Sequence, residues 1–248
     1  ESRFLEKPAF AVEQGRNAAK HMEQDSRKIL DIALGLIYSY SDEQAERVQK
    51  LESKIDRYED ELGTYLVKLN NKDLSERDSH SVSIMLHCIG DFERISDHAV
   101  NIMESAQELH EKNISFSPQA RNELQVLIAV VSRIVDTAYQ VFDKQDLNLT
   151  RDVEPLEEIV DELSKELKRR HVNRLRLGEC TIEMGFILTD LITSLERIAD
   201  HCSNISVCVT QVRENLYDTH SHLENLKNEP DDSYYNRLGE LHKEYVLP

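Results

Sequence analysis

Tryptophan is absent from this 248-residue sequence, and turn-forming residues are scarce, with only 7 glycines and 5 prolines. Folds built from many short strands need such residues at frequent intervals to reverse the chain. Leucine and glutamate are the most frequent residues instead. The composition therefore predicts an all-α protein, and its length suffices for one large domain or two smaller ones.

Positive charge is also in short supply. The 30 lysines and arginines face 47 acidic residues, which leaves a formal net charge of −17. The one basic cluster, Lys168 to Arg176, has the spacing of a single solvated helix face. A phosphate backbone would be repelled by such a surface, so we expect no nucleic-acid partner, whereas the excess of carboxylates suits cations.

Long apolar runs and paired cysteines are missing as well. The most apolar stretch begins at Val126 and is interrupted by Arg133 and Asp136, well before the length of a membrane span. The first residues lack the pattern of a signal peptide. The four cysteines form no Cys-x-x-Cys motif, which is typical of reduced cytosolic proteins. We therefore expect a soluble, cytoplasmic domain that does not itself enter the membrane.

Motifs for catalysis are lacking too. Ferritin-like di-iron enzymes need a Glu-x-x-His motif on two helices, and no histidine here has a glutamate three residues before it. A His-Glu-x-x-His motif, a nucleophile with its base and a glycine-rich phosphate loop are also absent. We expect no enzyme activity; a carboxylate-bridged di-metal oxidase or hydrolase is the enzymatic alternative.

An internal repeat organises the sequence. Three segments recur in the same order, the first two at an offset of 105 residues and the third at 103: 29–31 as 134–136, 51–56 as 156–161, and 93–101 as 196–204. Three matches in register over about a hundred residues indicate a duplication.

Each copy contains three long amphipathic helical patterns. They cover roughly residues 12–40, 42–70 and 78–110 in the first copy, and 119–144, 153–175 and 181–215 in the second. Short connections make neighbouring helices antiparallel. The predicted architecture is a tandem duplication of an antiparallel three-helix bundle, with residues 1–114 as the first repeat, 115–215 as the second, and 216–248 as a polar tail with a short helix from Tyr234 to Tyr245.

Acidic residues four positions apart occur at matching places in both copies, and an asparagine follows two of these pairs by one turn. The residues are Glu52, Asp56, Glu93, Asp97 and Asn101 in the first copy, and Glu157, Asp161, Glu196, Asp200 and Asn204 in the second. Residues i and i+4 share a helix face. This face is rotated away from the apolar stripe, so the carboxylates line either the seam between neighbouring helices or two opposite outer flanks.

Carboxylates gathered in a seam would repel one another and would need a cation to compensate them. Oxygen ligands suit Mg, Ca, Mn or Fe, and Zn less well, and their number allows a multinuclear cluster. His98 and His201 follow the aspartates as further candidate ligands, although they point about 100° further round the helix. A solvated acidic surface is the alternative interpretation. Asp31 and Asp136 interrupt apolar stripes and are expected to form hydrogen bonds inside each bundle.

Segments 91–102 and 195–205 resemble the signature of PhoU proteins, in which a duplicated three-helix unit binds metal clusters at its surface through paired Glu/Asp-x-x-x-Asp motifs. The resemblance implies that the motif at Glu52 joins the motif at Glu93, and that the motif at Glu157 joins the motif at Glu196. It thereby favours the seam over the outer flanks.

Segments 3–11 and 171–180 resemble one branch of that family, the PhoU-like C-terminal domain of bacterial sodium/phosphate cotransporter proteins. This resemblance implies a regulatory role in phosphate transport, a membrane transport domain in a parent protein of the inner membrane, dimerisation, and phosphate at the metal site. The Asp-Leu-Arg that usually starts the third helix of free-standing PhoU proteins is replaced by 78–80 (Asp-Ser-His) and 181–183 (Thr-Ile-Glu). A helical interaction scaffold without metal is the alternative function.

Overall fold

The computed structural model describes residues 7–214 and 232–248, most of which lie in six long helices. These are α1 (Pro8–Leu36), α2 (Asp42–Asn70), α3 (Glu76–Glu111), α4 (Pro118–Lys144), α6 (Val153–Arg176) and α7 (Ile182–Glu214). A one-turn helix, α5 (Leu147–Thr150), precedes α6, and α8 (Asp232–Glu244) lies near the C-terminus. The described residues contain no strand, which confirms the all-α prediction.

Serine side chains cap the N-termini of three long helices. Ser41, Ser75 and Ser117 each accept a hydrogen bond from the backbone N–H three residues later, at the start of α2, α3 and α4. The first helix ends at Leu36, before the predicted end at Tyr40. Its chain turns there because the carbonyl of Gly35 accepts hydrogen bonds from the N–H groups of both Tyr38 and Ser39.

Helices α1, α2 and α3 pack together as one bundle, and α4, α6 and α7 pack as the second. The two bundles meet where α3 packs against α7, so these two helices contribute to both the bundle cores and the junction. The buried apolar residues form one continuous core that runs through both repeats. The predicted pair of three-helix bundles therefore shares a single hydrophobic interior.

Aromatic side chains around Phe92 pack the two repeats against each other. Its fully buried ring meets Tyr139 and Phe142 of α4 edge to face, at centroid distances of 5.2 and 5.0 Å. Ser26 of α1 donates a hydrogen bond to the carbonyl of Phe92, and its hydroxyl oxygen lies 2.8 Å from that of Tyr139. Residues of α1, α3 and α4 thus hold the junction through one buried cluster.

The C-terminal helix α8 packs against α6 of the second bundle. Leu241 is fully buried there, Arg237 lies 3.0 Å from Asp152, and Arg133 of α4 lies 2.6 Å from Glu244. The short helix predicted from Tyr234 to Tyr245 falls almost entirely within α8. The rest of the predicted tail, up to residue 231, lies outside the described residues.

Asp31 and Asp136 do not form hydrogen bonds inside the bundles, and that prediction is wrong. Their side chains are 58% and 54% exposed, and the guanidinium of Arg27 binds both of them. The equivalent helices α1 and α4 bring both aspartates to one surface at the junction of the repeats, where a single arginine compensates them.

Helix α4 is the one helix of the described residues with the length and apolar composition to cross a membrane. Half of its apolar window is buried inside the structure, and core helices of soluble proteins have the same composition. Its packing against α6 and α7 in the second bundle explains the apolar stretch noted in the sequence.

We expect the substitution Phe92→Ala to lower the free energy of unfolding by about 3–5 kcal/mol, because a fully buried ring is replaced by a cavity. Urea denaturation measures this difference. The matched control is Phe186→Ala, since Phe186 is 68% exposed and its loss should change stability little. Similar effects of the two substitutions would contradict a junction fastened by Phe92.

Candidate metal centres

The acidic motifs lie at similar heights on neighbouring helices in both bundles. Asp56 lies near the middle of α2, and Glu93 lies near the middle of α3. In the second bundle, Asp161 and Glu196 likewise lie near the middles of α6 and α7. Because neighbouring helices are antiparallel and joined by short connections, their middles meet at one height. Each pair of motifs therefore comes to the same level of its helical hairpin.

The carboxyl group of Glu93, on the side of α3 near α2, has a strongly raised pKa. Partial burial, and next the charge of Asp97, raise the pKa of Glu93 to about 7. The carboxylate of Glu59, on α2, contributes in the same direction. Arg94 partly offsets this charge, with nitrogens 3.6 Å from Glu93 and 3.3 Å from Asp97. Acids of both helices therefore lie near Glu93, namely Asp97 of α3 and Glu59 of α2.

Glu59 was not among the residues predicted from the sequence. It follows Asp56 by three residues, so that Glu52, Asp56 and Glu59 share one face of α2. Its helical spacing could have identified it. The repeat does not indicate it, because the equivalent position in the second copy, 105 residues later, is Ser164, which is not acidic.

An open groove of about 400 Å³ lies beside one acid of each motif in the second bundle. Glu157 of α6 lines it together with Asp200 and Asn204 of α7. These three side chains thus share one space between the helices, which agrees with the seam and not with opposite outer flanks. Asp161 and Glu196 also lie on this hairpin, but each lies beside a lysine: Asp161 is 3.5 Å from Lys165, and Glu196 is 2.6 Å from Lys168.

Further polar side chains surround this groove that the sequence did not single out. Glu154 is buried and accepts a hydrogen bond of 2.5 Å from Ser203. Tyr234 of α8 lies near the acids at the start of α6: burial, and next the charges of Glu158 and Glu154, raise the pKa of its hydroxyl to about 12. Contacts of this kind depend on how a distant helix docks, so helical periodicity could not reveal them.

The two motif histidines meet at the α3–α7 junction. Their ring centroids are 5.7 Å apart. His201 is oriented by Asp91, whose carboxylate lies 2.9 Å from Nδ1, and it also faces the groove of Asp200. The Nδ1 atom of His98 is buried without a hydrogen-bond partner, and burial, followed by the charge of His201, lowers the pKa of His98. Both rings thus lie between the bundles, about a third of a turn from the acidic motifs.

The donor atoms of both seams fit a hard cation, because they are carboxylate and amide oxygens. Within residues 7–214 and 232–248, no three His, Cys, Asp or Glu side chains converge as a ready-made metal site. Arg94, Lys168 and Arg197 instead pair with acids of the motifs. Binding a metal here requires those acids to change rotamer and leave their basic partners.

We expect Glu93→Gln to stabilise the metal-free protein above pH 7. The pKa of Glu93 is raised from 4.5 to about 7 in the folded state, so the folded chain retains a proton that the unfolded chain releases. The free energy of unfolding must therefore fall as pH rises across that window. Glutamine removes this loss, a gain of about 1–2 kcal/mol after allowance for solvent screening, and has little effect near pH 4.

Urea denaturation in the presence of a chelator, at a series of pH values, measures that gain. The control is Glu46→Gln, because Lys50 lowers the pKa of Glu46 and its removal cannot give stabilisation of the same sign. A Glu93→Gln effect that did not vary with pH would contradict the repulsion assigned to the seam.

Comparisons of the sequence and of the structure show which known proteins this chain resembles. The family model described as PhoU domain matches residues 19–106 and 124–209, one match for each bundle. The chain is 30% identical over 115 residues to the phosphate-specific transport system accessory protein PhoU homolog 1 of Thermotoga maritima. That alignment covers 46% of this chain and 49% of the Thermotoga protein, so the matching region spans about half of that relative.

A longer alignment joins this chain to the PhoU homolog of Deinococcus radiodurans, with 22% identity over 194 residues, 77% of this chain and 88% of the relative. Two crystal structures have the same fold. PhoU from Pseudomonas aeruginosa gives a TM-score of 0.76 at 23% identity, over 83% of this chain and 98% of the other. The phosphate transport system regulatory protein PhoU from Streptococcus pneumoniae gives 0.75 at 17% identity, over 86% and 100%. Because the family model matches well over half of the residues and both bundles, the chain belongs to the PhoU family.

Proposed function

We propose that this chain is a metal-binding regulatory domain of phosphate transport. The observation that carries this proposal is the repetition of paired acidic motifs at one level of two neighbouring helices in both bundles. The relatives are named accessory or regulatory proteins of phosphate transport systems, which supports regulation and not catalysis.

Each seam would hold its metal with one set of motif residues. Glu52, Asp56, Glu93 and Asp97 serve the first seam, whereas Asn101, one turn further along α3, lines a groove together with His98 and with Asp190 of α7. Glu157, Asp161, Glu196, Asp200 and Asn204 serve the second. Bound cations supply positive charge to an otherwise strongly negative protein, and such charge attracts phosphate. The chain's own part is to bring carboxylates from two helices to one level, so that metal occupancy ties the helices together.

The parent protein in this proposal is a sodium-dependent phosphate cotransporter-like protein of the inner membrane. Segments 3–11 and 171–180 support it through their resemblance to that branch of the family. The partner of this cytoplasmic domain is then the transport domain of the same chain, and a second copy of the domain is a further partner. Expression of the full parent protein with altered seams, followed by measurement of phosphate uptake, tests this assignment.

A helical scaffold without metal is the second candidate. The favouring observation is that basic side chains already lie beside the motif acids, such as Lys168 beside Glu196. In a scaffold, the carboxylates would remain in these ion pairs and would bind no metal. The two functions differ in metal content.

We expect the protein purified without added metal to contain stoichiometric Fe, Mn, Zn or Ca, measured by elemental mass spectrometry. Replacing Glu93, Asp97, Glu196 and Asp200 with alanine should abolish this metal, because each seam loses half of its carboxylates. The control replaces Glu46 and Glu61, exposed acids of α2 outside the seam, and should keep the metal. Absence of metal, with a Tm that chelator leaves unchanged, would favour the scaffold.

Lys168→Met should strengthen metal binding at the second seam about tenfold. The substitution keeps the aliphatic stem but removes the ammonium that lies 2.6 Å from Glu196 and competes with a cation for that carboxylate. Titration with Mn²⁺ measures the affinity, and Lys50→Met, at an exposed position of α2, is the matched control. An unchanged or weaker affinity at the second seam would show that Glu196 is not a ligand.

A further inference from the structure

A third acidic groove, of about 390 Å³, lies between α1 and α4, where the two repeats face each other away from both seams. Its polar lining comes from both helices: Glu23, Gln24 and Arg27 of α1, and Asp136, Gln140 and Asp143 of α4. Oxygen atoms predominate among these side chains, and neither histidine nor cysteine is among them.

Glu23 is the unusual member of this groove. Its side chain is only 7% exposed, and its Oε2 atom is buried without a hydrogen-bond partner. A buried carboxylate oxygen that makes no bond costs stability, and an apolar residue of similar size would avoid that cost. A cation bound in the groove would offset that cost.

The basic side chains at the groove pair with its aspartates and not with Glu23. Arg27 is engaged by two aspartates, with contacts to Asp31 and Asp136. Lys20 lies 2.8 Å from Asp143, but both side chains are partly open to solvent, where such a pair is weak and readily exchanged. Burial, and next the charge of Asp143, raise the pKa of Glu23 to about 8, and the charge of Lys20 offsets this only in part.

The duplication does not account for this groove. At the offset of 105 residues, Glu23 corresponds to Ile128, and Asp143 corresponds to Tyr38. The two acids thus come from non-equivalent positions of the repeats and meet only because α1 and α4 lie side by side at the junction. A site made by them occurs once in each chain, whereas the seams occur twice.

We propose that Glu23 and Asp143 bind a hard divalent cation in the groove between α1 and α4, as a third metal site distinct from the two carboxylate seams. The amide oxygens of Gln24 and Gln140, which line the same groove, complete an all-oxygen donor set of the kind that Mg²⁺, Ca²⁺ and Mn²⁺ prefer. Because its ligands come from different repeats, the cation clamps the two bundles against each other. This site does not depend on metal binding in the seams.

Mn²⁺ binding to the full chain, measured by electron paramagnetic resonance at a pH above 8, tests the proposal. The starting protein carries alanine at Glu93, Asp97, Glu196 and Asp200, so that the seams no longer contribute. We expect it to bind one Mn²⁺ per chain, competed by Ca²⁺ or Mg²⁺, and to lose that ion when Glu23→Gln or Asp143→Asn is added. Glu13→Gln, at an exposed position of α1, is the matched control and should keep the ion.

Glu23→Gln should not unfold the protein, since glutamine has nearly the same shape, and circular dichroism checks this. If folded protein with altered seams binds no Mn²⁺, or if Glu23→Gln keeps the ion, the third site does not exist. A different result is expected if only the seam sites are wrong. The unaltered chain then binds one ion, and its binding depends on Glu23 and not on Glu93.

Discussion

The packing of α3 against α7 sets the positions of the other helices and of every candidate site. Each of these helices completes the core of its own bundle with one face and joins the other bundle with a second face. A third face is left for the acidic motifs, which turn toward α2 in one bundle and α6 in the other. One helix therefore contributes to the core, the junction and a candidate site, and Glu93 lies one position from the fully buried Phe92.

Electrostatic repulsion is the second constraint. Carboxylates gathered in a seam raise one another's pKa, as at Glu93, and the chain limits this cost with arginines one or three residues away. The two seams differ in this respect: the second adds Lys168 and lies beside α8, whose Tyr234 is near Glu154 and Glu158. The duplicated motifs thus lie in unequal surroundings.

Helical periodicity and the repeat were sufficient to predict the six long helices, because amphipathic stripes and serine caps are local features. The repeat also revealed the paired acidic motifs, but the choice of the seam over the outer flanks came from the family resemblance. Periodicity and the repeat failed where the answer depends on tertiary packing: Asp31 and Asp136 were assigned to the bundle interiors but lie exposed on either side of Arg27. Glu23 and Asp143 could not be predicted as a pair for the same reason, because no local sequence pattern shows that α1 lies beside α4.

The most direct test of these assignments is an anomalous difference map from crystals grown with Mn²⁺. We predict peaks in the α2–α3 and α6–α7 seams, within about 2.0–2.6 Å of carboxylate oxygens of Glu93 or Asp97 and of Glu196 or Asp200. Peaks confined to other parts of the surface, or a map without peaks from crystals that retain the fold, would contradict the central claim that the paired acidic motifs are metal sites.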